Sequence, residues 1–215
     1  MRKIIAVFLL IALILGLGGC SSEEAREITQ ESKLSKSENN PTEPEAIEEI
    51  YVREITENDE YKYAVYSNNT VEILKYLKNP ETFVDLIIPD TIDGYKVTSI
   101  GEYAFDIDWY VSGKPEWKIT IPNGITHIGK GAFASFKYLT SLTIPDSVTY
   151  IGDSAFDNGK EWLHNTDLTN VTIPDNVTYI GNWAFRGNLN LTITCSKGSA
   201  AHKYCEKEKV MFKLN

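Results

Sequence analysis

The sequence predicts a mainly β protein built as a short solenoid of about four to five stacked coils, and three observations predict it. One phrase recurs: Leu139 to Phe156 reads LTSLTIPDSVTYIGDSAF, and Leu168 to Phe185 reads LTNVTIPDNVTYIGNWAF. A third copy, WKITIPNGITHIGKGAF, starts at Trp117, and a looser one, FVDLIIPDTIDGYKVTSIGEYAF, starts at Phe83. The closing phenylalanines, Phe105, Phe133, Phe156 and Phe185, lie 28, 23 and 29 residues apart, which makes a unit of about 23 residues with five or six added in two of the gaps. Finally, the apolar residues keep fixed offsets from the Ile-Pro, so one unit presents an apolar side that it cannot bury alone and must stack on its neighbours.

Taken in order, residues 1–20, MRKIIAVFLLIALILGLGGC, join a basic start to a short apolar run and small residues, the pattern of an export signal. The run is short for the roughly 20 residues of a spanning helix, and a polar segment follows at once. Leu17-Gly18-Gly19-Cys20 resembles a bacterial lipobox, which implies diacylglycerol on the Cys20 thiol and cleavage that leaves Cys20 as the new N-terminus. Two or three acyl chains, palmitate among them, hold a protein on a membrane far better than one, at about 0.8 kcal/mol per buried methylene. Residues 21–50 are rich in Glu, Ser, Asn and Pro, without an aromatic residue, and read as a disordered acidic linker. A flexible chain of that length reaches about 30 Å.

The domain proper is expected over 51–215. In 51–82, YKYAVYSNNTVEILKY holds two alternating runs about Ser67-Asn68-Asn69, a β-hairpin that caps the first coil. The repeats fill 83–188. In each, the alternation of SLTIP, with Leu142 and Ile144 on one side and Thr143 on the other, is a strand with one wet face. Proline ends it, because it cannot donate to a ladder. A turn residue follows (Asp90, Asn123, Asp146, Asp175), then a second short extended piece, VTYIG, and the Ala-Phe pair. The predicted core is Leu139, Leu142, Ile144, Val148, Ile151, Ala155 and Phe156, with Leu168, Val171, Ile173, Val177, Ile180, Ala184 and Phe185 as its counterparts. Residues 189–215 end the array as strand, helix and strand: LNLTITC, SAAHKYCEKEK and VMFKL.

This unit, approximately LxxLxIPxxVxxIGxxAF, resembles the BspA-like branch of the leucine-rich repeats from about Phe83 to the C-terminus. The cysteine that often follows the phenylalanine in that family is replaced here by residues such as Asn158 and Gly187. The resemblance implies a surface protein of the class that includes adhesins for host or neighbouring-cell proteins, with a similar strand-helix-strand ending.

Charge and chemistry narrow the function. A net charge of −9 and a pI near 4.9 argue against nucleic acid and against direct docking on anionic lipid. The histidines His127, His164 and His202 have no nucleophile beside them in sequence, and no catalytic or phosphate-binding motif occurs, so neither catalysis nor a cofactor is expected. No metal site is expected either: the Asp and Asn column after the prolines suits turn capping, and stacked carboxylates about 5 Å apart repel by only about 1 kcal/mol in water. For Cys195 and Cys205 two alternatives stand, a disulfide in an oxidising compartment or two buried thiols filling space.

Two sets of aromatic residues are candidates for recognition. His127, Tyr150 and Tyr179 form a column opposite in parity to the buried isoleucines, with Ser99 at its head; the alternative is that they are ordinary strand formers. The additions DIDWYVSGKPEW and DNGKEWLHNTD bring Trp109, Tyr110, Trp117 and Trp162 onto loops displayed by the scaffold, the residue types enriched in binding hot spots. For Trp117, which abuts a strand, folding back over its own coil is the competing reading. The expected function is a lipid-anchored recognition module on the extracytoplasmic face of a bacterial cell membrane, binding an extracellular or envelope protein. A glycan-binding module and a structural or assembly protein of the envelope are the alternatives.

Overall fold

Each regular copy of the repeat makes one coil of two short strands, and the coils stack so that equivalent strands pair side by side. In this computed structural model the described residues are 49–78, 85–106, 117–134, 136, 139–159 and 168–215. The leader with Cys20 and the acidic linker up to residue 48 lie outside them, and residues 50–215 form one unit.

The array opens with three antiparallel strands, β1 (Val52–Glu57), β2 (Tyr61–Tyr66) and β3 (Thr70–Tyr76). The expected hairpin is β2 and β3, turned at Asn69, whose φ is 61°. β1 is an addition to the sequence reading. It lies at the sheet edge with Val52 and Ile55 about half exposed, whereas β2 and β3 send Val65, Val71 and Ile73 into the core. The looser first copy has its cause in β4 (Asp85–Ile87), β5 (Thr91–Ile92) and β6 (Tyr95–Ile100): β5 and β6 are antiparallel, joined by Asp93 and Gly94. Both turn residues have positive φ, 49° and 87°, as a two-residue hairpin with the strands' own twist requires.

From there the pattern is regular through β7 (Trp117–Thr120), β8 (His127–Ile128), β9 (Leu139–Thr143), β10 (Tyr150–Ile151), β11 (Asn170–Thr172) and β12 (Tyr179–Ile180). β13 (Thr192–Cys195), α1 (Ala200–Glu208) and β14 (Met211–Leu214) close it. One sheet runs β1-β2-β3-β6-β8-β10-β12, parallel from β3 onward. The Ile-Pro strands β4, β7 and β9 form a second ladder, and β11 forms a third with the closing strands β13 and β14. After each full repeat's proline a tight turn redirects the chain, with the Val148 amide donating to the Pro145 carbonyl (3.0 Å) and Val177 to Pro174 (3.1 Å).

All the predicted core positions of the second and third of these regular coils are buried except Ile180, which is half-buried because β12 is the last strand of its sheet. Phe105, Phe133, Phe156 and Phe185 make one pile, none more than 3% exposed, with ring centroids 5.1, 5.4 and 5.2 Å apart and planes within 15° of parallel. Backbone bonds run along the same line: the amides of Phe105, Phe133 and Phe156 donate to the carbonyls of Ala132, Ala155 and Ala184 at 2.7–2.9 Å. At the N-terminal end Tyr76 continues both series, its amide bonded to Ala104 (2.8 Å) and its ring 5.4 Å from Phe105.

Beyond Phe185 there is no further coil to supply a carbonyl, and a side chain replaces it. The Phe185 amide donates to the hydroxyl of Tyr204 on α1 (3.0 Å), whose ring packs edge-on at 6.0 Å. Burial pushes the Tyr204 phenol up to about 12, so it stays neutral. Tyr204→Phe keeps the ring and leaves a buried N–H without an acceptor, an expected loss of about 1–3 kcal/mol in urea unfolding. The helix starts at Ser199, which accepts from the His202 amide (3.2 Å), and ends at Lys209 in the left-handed region, φ 59°. Of the two alternatives for Cys195 and Cys205, the structure has free buried thiols rather than a disulfide. Burial raises both, Cys205 to about 12, which keeps them protonated, inert fillers beneath the helix.

Candidate functional site

The pairing register of the β6-β8-β10-β12 sheet decides which side chains share a row. Ser99 pairs with His127, His127 with Tyr150 and Tyr150 with Tyr179, while the neighbouring isoleucines 100, 128, 151 and 180 pair on the inner side. The predicted column therefore exists as a stack on the outside. His127 and Tyr150 lie 5.6 Å apart at 22°, and Tyr150 and Tyr179 lie 4.8 Å apart at 9°. Tyr150 is 37% and Tyr179 45% exposed. Rings one strand spacing apart leave no slot between them, so the row turns its edges and hydroxyls outward and offers ring faces only at its two ends.

The threonine before each of these residues holds the spacing. The hydroxyls of Thr126, Thr149 and Thr178 each donate to the carbonyl of the equivalent threonine one coil earlier, at 3.1–3.2 Å, and their amides do the same at 2.8–2.9 Å. Thr126 also bonds the His127 ring at Nδ1, 2.9 Å. Partial burial, then Tyr179, then Asp153 and Glu102 push the Tyr150 phenol up, so it acts as a neutral donor. At the head of the row β3 extends it by one residue: Glu72 pairs with Ser99 and accepts from the Tyr66 hydroxyl.

Two exposed aromatics escaped the sequence reading. Two residues past each Ile-Gly glycine the backbone is left-handed, at Tyr103 (φ 52°), Gly131 (58°), Ser154 (54°) and Trp183 (56°). Glycine fits there without strain, but a tyrosine and a tryptophan cost on the order of 1–3 kcal/mol each, a mark often found at binding sites. Tyr103 is 45% and Trp183 54% exposed, with Lys130 over the first ring (5.8 Å) and Arg186 over the second (5.4 Å). The available signal was the repeated offset in IGEY, IGKG, IGDS and IGNW.

Trp109, Tyr110 and Trp162, with His164, lie outside the described residues. Trp117 begins β7 and so belongs to the other ladder, paired with Leu139, apart from the His127 row. The root of the second addition is well held: Asp157, 7% exposed, accepts two bonds from Arg186 (3.1 and 2.5 Å) and one from the Gly159 amide (3.0 Å). Asp175, of the turn column, accepts from Ser196 (2.9 Å). Among the described residues no three His, Cys, Asp or Glu side chains gather as metal ligands, and no helix is long and apolar enough to cross a membrane.

Parallel coils of about 23 residues, each closed by a buried phenylalanine, define a leucine-rich-repeat module. Residues 98–196, a little under half of the chain, match the family described as the BspA type leucine rich repeat region (6 copies). A solved leucine-rich repeat protein from Bacteroides capillosus is 24% identical, covering 65% of this chain and 96% of its own, with a TM-score of 0.50. A T. pallidum leucine rich repeat protein is 21% identical over 66% of this chain and 72% of its own, with a TM-score of 0.47. No curated protein matches the chain.

Proposed function

We propose that the chain is a recognition module without catalysis, lipid-anchored through Cys20 at the bacterial surface, that binds an extracellular or envelope protein. The observation that carries this reading is the His127-Tyr150-Tyr179 row: exposed rings held in place by the backbone and threonine ladders beneath them. Side chains fixed before binding lose little entropy on docking, and tyrosine contributes both apolar area and a hydroxyl. The Trp109, Tyr110, Trp117 and Trp162 segments add contacts of the kind that dominate protein interfaces. A sugar ring stacks on an aromatic face, and the row presents edges, so a protein surface suits it better than a glycan.

Crosslinking on intact cells followed by mass spectrometry tests the reading. The wild-type chain is expected to capture one envelope or extracellular protein reproducibly. Tyr150→Ala with Tyr179→Ala, and separately Trp109→Ala with Trp162→Ala, are each expected to cut that capture about tenfold or more, equivalent to about 1.4 kcal/mol. Full capture by both double variants, with unchanged melting, would remove the site.

A further inference from the structure

At its N-terminal end the aromatic row steps down to a serine, and a carboxylate stands on the far side of the step. Glu72, Ser99 and His127 are consecutive across β3, β6 and β8. Two strand spacings, about 9.6 Å, separate the backbones that carry the acid and the imidazole. Tyr150 covers one face of His127, and the other is turned toward Ser99, where no ring follows. Glu72 leans over the middle coil: its Oε1 lies 3.0 Å from where a Cβ on Gly101 would sit, so the glycine makes room for the carboxylate. Its Oε2 is held by the Tyr66 hydroxyl.

We propose that this step receives an arginine of the protein partner, with its guanidinium stacked on the open face of His127 and paired with the Glu72 carboxylate. The inference rests on the recognition reading above and specifies the chemistry of its partner. Charge favours a cation: Glu72 joins no ion pair among the described residues, Glu102 and Asp153 lie close enough to act on Tyr150, and the chain carries a net −9. Lys130, two residues past Ile128, lies over the Tyr103 ring at 5.8 Å. Geometry favours arginine over lysine, because a planar guanidinium can lie on an imidazole at van der Waals distance while its edge donates to a carboxylate. Such a plane fills the depth that a serine leaves beside a histidine.

The test is a titration of the full chain in detergent with N-acetyl-arginine amide, read by NMR at the Ser99 amide and the His127 ring, with the neutral isostere N-acetyl-citrulline amide alongside. Arginine amide is expected to give saturable shifts at both positions, and Glu72→Gln, which keeps an acceptor for Tyr66, is expected to weaken binding at least tenfold. Equal response to citrulline, unchanged binding by Glu72→Gln, or no saturable shift would overturn the proposal. The cellular crosslink separates the two readings. A partner captured in full by Glu72→Gln sinks the arginine step and leaves recognition standing, whereas no partner captured by the wild type sinks the recognition reading itself.

Discussion

Phe156→Ala is expected to cost about 3–5 kcal/mol in urea or thermal unfolding, against less than about 1 kcal/mol for Thr143→Ala. Phe156 is 3% exposed and lies between Phe133 at 5.4 Å and Phe185 at 5.2 Å, so removing its ring opens a void in the middle of the pile and takes a stacking partner from each neighbour. The coils on either side cannot close the void, because their separation is set by backbone ladders that the mutation leaves intact. Thr143 ends β9 on the wet side, next to the buried Leu142, and its loss leaves nothing unfilled. Similar costs for the two substitutions would contradict the packing.

The second large effect is at the glycines of the Ile-Gly pairs. Gly152→Ala is expected to destabilise the domain by about 3 kcal/mol or more, although it adds a single methyl group. That methyl would sit 2.6 Å from the Lys130 amide nitrogen and 2.8 Å from the Gly129 carbonyl carbon. Both are backbone atoms of the preceding coil, and no rotamer change can move them. Gly129 and Gly181 meet the coil before them just as closely, at 2.6 and 2.3 Å. Each also donates its amide to an isoleucine of the preceding coil, Gly152 to Ile128 at 2.8 Å, so moving the coil apart to admit the methyl would break a hydrogen bond. A control is Gly159→Ala: it meets no atom within 4 Å, and the penalty there is confined to the backbone strain of its φ of 78°. If Gly152→Ala proves no worse than Gly159→Ala, close coil approach does not hold the array together.

The core was legible because it obeys a period: once the copies are aligned on Ile-Pro, burial at Leu142, Val148, Ile151 and Phe156 follows from the offsets. The outward row was legible for the same reason, by parity with the isoleucines. What escaped had no period to reveal it. β1 pairs only with β2 and stays exposed, so VREITE shows no inward stripe. The Asp93-Gly94 hairpin was hidden inside a copy regarded as a poor match, although an Asp-Gly pair is a strong turn signal. The demand for glycine 152 comes from backbone in another coil, which no local pattern encodes. Tyr204 acts on Phe185 from 19 residues away, a pairing visible only once the helix is docked.

That last contact has a consequence for how such a protein can change its length. The Phe185 amide is answered by a phenol rather than by a main-chain carbonyl, so a coil appended at this end would have to evict Tyr204 before it could be received. Interior units, which both give and take the same set of bonds, can be duplicated or deleted without that obstacle. Lengthening or shortening over generations is therefore channelled to the middle of the array, with the two ends carried along unchanged.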